Sequence, residues 1–127
     1  MGLKIQLIKC TGWLGLFLIS LCLAKLLSKE KRENKLLLFV RNNHKVFGWV
    51  SLIVLSVHGL LANNVLIPVM GRGKHLHLLE TTGWGYLVWI MLFIICISSV
   101  LLPYKVFRKG HLQLVIVFGV LVFFHIL

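Results

Sequence analysis

Residues 44–59, HKVFGWVSLIVLSVHG, carry two histidines, His44 and His58, fourteen positions apart on a largely apolar run. The end of the chain repeats the arrangement. Residues 111–125, HLQLVIVFGVLVFFH, begin at His111 and close at His125, again fourteen apart. At about 3.6 residues per turn this spacing is just under four turns, so both histidines of a pair face the same way. At a rise of about 1.5 Å they stand about 21 Å apart along the axis, most of the hydrocarbon thickness of a bilayer. Each helix therefore offers one imidazole near each membrane face, both in one seam.

The composition supports a membrane setting. The chain has 127 residues, 59% of them hydrophobic, and a mean hydropathy of +0.96, too apolar for a soluble domain of this size. Its only acids are Glu30, Glu33 and Glu80, against 14 Lys and Arg and a formal charge of +11. The cations gather at the ends of apolar runs, where they meet lipid phosphate and set topology, so nucleic acid is not the expected partner. Cys10, Cys22 and Cys96 share no metal-type spacing, and no CxxCH is present for covalent haem attachment.

Taken in order, the apolar runs predict an all-α, four-helix transmembrane bundle that forms a single domain over residues 1–127. The spans fall at about residues 5–27, 43–62, 81–102 and 111–127. A cleaved signal peptide competes for the first run, but Cys22 stands where a small-residue cleavage site wants Ala, and the run is long enough to span. Residues 25–35 read as a basic loop and 36–40 as an interfacial turn, with Asn42 or Asn43 as an N-cap. Residues 63–80, with Pro68 and the Gly71-Arg72-Gly73 turn signal, read as a second loop that holds His75 and His77. Pro103 should stop the third span, and residues 104–110 read as a short basic loop.

Ten Lys and Arg fall on one side of these spans (residues 25, 29, 31, 32, 35, 41, 45, 105, 108 and 109) and four on the other (residues 4, 9, 72 and 74). The positive-inside rule then places the basic loops in the cytoplasm and both termini outside the plasma or inner membrane. Trp13, Trp84 and Tyr86 fall at the outer interface and Tyr104 at the inner one. The second and fourth spans run the same way. His44 and His111 therefore share the inner level, and His58 and His125 the outer. In an up-down-up-down bundle these two helices face each other across the core.

Two stacked imidazole pairs are how b-type haem iron is commonly held, one nitrogen on each axial side. The expected cofactors are two non-covalent haem b groups between the second and fourth spans, with His44, His58, His111 and His125 as iron ligands. Intramembrane histidines at matched spacing are costly to leave unpartnered, and ligation removes that cost. His44, Gly48, Ser51, Leu55 and His58 share one face; His111, Val115, Phe118, Val122 and His125 share the other, with Gly119 beside it. Gly48 leaves room for a macrocycle or for close helix packing. Arg41, Lys45, Arg108 and Lys109 stand where inner propionates would need cations, or where side chains snorkel to the interface; Arg72 or Lys74 would serve the outer haem. His75 and His77 read as surface histidines near lipid headgroups, with metal binding, quinone or acceptor docking and propionate contact as other roles.

These residues resemble the ferric reductase-like transmembrane domain, which holds two haems b between two helices that each carry His-x13-His. His44/His58 and His111/His125 match that pattern, as does the HKVFGW opening, and the likeness covers about residues 41–127. The chain departs from the family in showing four spans where six are usual, and no flavin or nicotinamide domain. The resemblance implies an electron-transfer subunit rather than a complete enzyme. It would carry electrons across the membrane from a flavoprotein or quinol to an acceptor on the other face, as part of a larger complex that includes a flavoprotein or another cytochrome. A quinone-reactive membrane anchor of a dehydrogenase or reductase is the nearest alternative. A haem-free transporter or structural protein, whose histidines bind a transition metal or relay protons, is the alternative of another class.

Overall fold

The computed structural model describes residues 2–27, 35–69 and 75–126, the side chains of 25–27, 65–69 and 75–82 excepted. These residues form helices α1 (Gly2–Leu27), α2 (Lys35–Asn42), α3 (His44–Val69), α4 (His75–Leu101) and α5 (Tyr104–Ile126). Among the described residues, Gly2–Ala24, His44–Asn64, Gly83–Leu101 and Tyr104–Ile126 are long and apolar enough to cross a membrane. Among the described residues the fold is all-helical, with four apolar helices where the sequence predicts spans.

Helices suit lipid because they satisfy every backbone polar group internally. The hydroxyls follow the same rule. Ser20, Ser56, Ser98 and Ser99 each donate to a carbonyl one turn back, at 2.6–3.0 Å. Large apolar side chains such as Phe17, Ile53, Leu60, Ile116 and Phe123 lie exposed on the helix surfaces, as side chains that meet acyl chains should.

Several segments that the sequence reads as loop or turn are helix. The basic loop expected over 25–35 narrows, because α1 continues to Leu27 and α2 begins at Lys35. The turn expected over 36–40 is helix α2, which packs on α1 and buries Val40. The loop expected over 63–80 is largely helical: α3 runs to Val69 with Pro68 at its penultimate position, and α4 starts at His75. His75 and His77 thus stand in the first turn of a helix, and the turn signal at 71–73 lies outside the described residues. The loop expected over 104–110 is the start of α5. The Pro103 carbonyl accepts from the backbone N–H groups of Val106 and Phe107, both at 3.0 Å, so the residue that ends α4 also opens the next helix.

Asn43 works differently from a simple N-cap. Its carbonyl accepts from Phe47 N–H at 3.0 Å, as the residue before α3 should, but its side-chain amide donates back to the Phe39 carbonyl at 2.9 Å. The side chain closes α2 rather than opening α3.

The chain divides into two compact units, Met1–Leu61 and Ala62–Leu127. In the first, α1 and α3 run antiparallel: Gly12 meets His58, Gly15 meets Leu55, and Cys22 Sγ donates to the His44 carbonyl at 3.8 Å. In the second, α4 and α5 form a hairpin with only Leu102 and Pro103 between them. Trp84 stacks on Phe124, ring centroids 5.6 Å apart, and Gly85 meets His125.

Candidate functional site

In both histidine helices the five positions expected to share a face are all at least partly buried, and the middle one is covered most. Ser51 is 1% exposed and Phe118 is 3% exposed. The Ser51 hydroxyl donates to the Gly48 carbonyl at 2.8 Å, so this deeply placed polar atom is satisfied within its own helix. Gly119 has no neighbour within 4 Å of where a Cβ would stand, so close helix packing does not account for it among the described residues.

His58 sits on α1. Its Nδ1 lies 3.0 Å from the Ile8 carbonyl oxygen and 3.3 Å from Thr11 Oγ1. A carbonyl oxygen only accepts, so Nδ1 carries the proton in this bond. In the neutral ring the lone pair then belongs to Nε2, and that tautomer is the one ready to bind a metal. The ring lies against Gly12, where an added Cβ would stand 3.1 Å from His58 Cε1. His125 is seated in the same way on α4: a Cβ on Gly85 would stand 3.0 Å from its Cε1 and 3.5 Å from its Nδ1.

The early histidines have other surroundings. His44 opens α3 and its carbonyl receives the Cys22 thiol. His111 stands two turns inside α5 with its ring against Phe107, centroids 4.6 Å apart at 36°, an (i, i+4) pair on one helix face. His44 and His58 belong to the first unit, His111 and His125 to the second.

Arg41 and Lys45 lie exposed on either side of the α2–α3 junction, and Arg108 and Lys109 lie exposed in the first two turns of α5. Arg72 and Lys74 lie outside the described residues, and so do the side chains of His75 and His77. None of the three acids falls within the four spans. Among the described residues no three His, Cys, Asp or Glu side chains gather as a metal cluster. A bis-imidazole site needs only two such groups, and the His58 tautomer together with the glycine seats fits axial ligation of haem iron.

The sequence reading missed Thr11, Gly12 and Gly85. Thr-Gly-Trp occurs at 11–13 and again at 82–84, but this repeat aligns Gly12 with Gly83, which has nothing within 4 Å of where a Cβ would stand, and not with Gly85. For a chain with these seats, no family model matches, and no curated protein or solved structure matches either.

Proposed function

We propose that this chain is a transmembrane di-haem b-type cytochrome that resembles the ferric reductase-like transmembrane domain and carries four spans among its described residues. The observation that carries the reading is the doubled seat. His-x13-His recurs on α3 and α5, and the late histidine of each pair rests its ring on a glycine of the preceding long helix. His44 pairs with His111 at the inner level and His58 with His125 at the outer, with helices α1 and α4 as walls of an up-down-up-down bundle. Arg41, Lys45, Arg108 and Lys109 would hold the inner propionates.

Haem iron supplies the one-electron couple when bound. The chain's own work is placement. Its histidines fix two positions about 21 Å apart along the helix axis, and its apolar helices keep water and stray charge from them. Electrons pass from a donor on one face, a flavoprotein, another cytochrome or quinol, to an acceptor on the other. The chain acts as a subunit of a larger oxidoreductase, in lipid, with its basic segments in the cytoplasm and both termini outside the plasma or inner membrane.

Pyridine haemochrome quantification after acid–acetone extraction tests this directly. Two haems b per chain are expected, with a reduced-minus-oxidised spectrum of b type. A colourless purified protein would overturn the reading.

A further inference from the structure

We infer that Thr11 is a positioning residue for His58, its hydroxyl and the Ile8 carbonyl together holding the imidazole as an axial ligand and lowering the potential of one haem. The inference rests on the di-haem reading. Thr11 Oγ1 lies 2.9 Å from the Leu7 carbonyl oxygen, 3.0 Å from that of Ile8 and 3.3 Å from His58 Nδ1. A hydroxyl has one proton, and here it goes back along α1 to a carbonyl. Toward His58 the oxygen therefore accepts. The ring's Nδ1–H is forked between Thr11 Oγ1 and the Ile8 carbonyl at 3.0 Å. The other tautomer would set the Nδ1 lone pair against the carbonyl lone pairs, so the arrangement selects the form with its lone pair on Nε2.

Acceptors on the outer N–H of a ligating imidazole make the ring a stronger donor to the metal, which favours the oxidised ion and lowers the potential. Gly12 makes the fork reachable, since the ring approaches α1 so closely that a Cβ there would lie 3.1 Å from Cε1. The position directly before the glycine seat differs in the second unit. The residue before its glycine seat is Trp84, whose indole can donate but offers no acceptor oxygen. Of the two glycine-seated histidines, only His58 has a hydroxyl directly before its seat.

The test is a redox titration of the intact, haem-loaded protein and its Thr11→Val and Thr11→Ser variants, with low-temperature EPR of the ferric state. Thr11→Val removes the oxygen and keeps the shape. It should keep two haems, raise one midpoint potential, leave the other unchanged, and move one low-spin EPR signal. Thr11→Ser should restore both readouts. Two bound haems with unchanged potentials in Thr11→Val would overturn the inference and leave the di-haem reading standing. An equal shift of both potentials would also overturn it, because the effect would then be general. If Thr11→Val loses a haem, Thr11→Ser decides: wild-type behaviour supports the hydroxyl's role, and a matching loss overturns it. A wild-type protein without haem would overturn the inference and the di-haem reading together.

Discussion

The two hairpins solve one problem with different side chains. In α1/α3, His58 rests on Gly12 and shares its ring proton between the Ile8 carbonyl and Thr11. In α4/α5, His125 rests on Gly85, and the residue before that glycine is Trp84, stacked on Phe124. The distances from the absent Cβ to the ring nearly coincide, 3.1 Å and 3.0 Å to Cε1. What is shared is shape: a bare backbone against the flat edge of an imidazole. What differs is the residue directly before the glycine, Thr11 in the first unit and Trp84 in the second.

If the two seats are equivalent, removing either ring should have the same large effect. His58→Ala and His125→Ala should each cost one haem of the proposed two and leave the other intact. The double variant should be little worse than either, because the two residues act as one unit. His44→Ala should match His111→Ala in the same way. Redox titration with low-temperature spectra reads all four. If His58→Ala resembles His44→Ala, the ligands pair within a helix and the assignment by level fails.

Next comes the requirement that both late histidines reach the same membrane face. The start of α1 lies at the His58 end of the first unit, and the end of α5 carries His125. In a background without Cys10, Cys22 and Cys96, Lys4→Cys and Ile126→Cys should both label from outside. Lys35→Cys and Lys105→Cys should label only from the cytoplasmic face. Labelling of Lys4→Cys and Ile126→Cys from opposite faces would separate His58 from His125.

The glycine seats can be tested by filling them. Gly12→Ala and Gly85→Ala each place a methyl against an imidazole ring, which must give by a few tenths of an ångström. Overpacking of this kind costs about 1–3 kcal/mol, partly offset by about 1 kcal/mol of gained helix propensity. Thermal unfolding in detergent should show both variants destabilised, each with one altered haem spectrum. Gly59→Ala, with nothing within 4 Å of the new methyl, should be neutral or slightly stabilising. Equal behaviour of all three would remove the seats from the argument. The smallest effect belongs to the feature peculiar to the second unit. Trp84→Leu removes a ring stack worth about 0.5–1.5 kcal/mol beyond its area, and should lower the unfolding temperature slightly without loss of either haem.

Part of this arrangement is legible in the amino-acid sequence. The spacing of His44, His58, His111 and His125 and the apolar runs around them fix helix, face and depth, because periodicity and length are local properties of the chain. They also place Ser51 and Phe118 at the centre of each inner face, where both are buried. The element boundaries are less legible. Lys105, Arg108 and Lys109 read as a loop because charge interrupts hydropathy, yet charge does not interrupt a helix. Lys and Arg are good helix formers, and the Pro103 carbonyl starts α5 ahead of them.

The seats cannot be read from the sequence at all. Gly12 lies 46 residues before His58 and Gly85 lies 40 before His125, so no single register relates them, and a glycine in an apolar run signals only that a side chain is missing. Which partner comes close enough to use that gap depends on how the helices of each hairpin slide and rotate against each other. Local spacing is enough to set two histidines about four turns apart on one face of each of two helices. The meeting of Gly12, Thr11 and the Ile8 carbonyl with His58 belongs to the tertiary structure, because a hydrogen bond of 3.0 Å depends on distances between chain segments that local periodicity does not set.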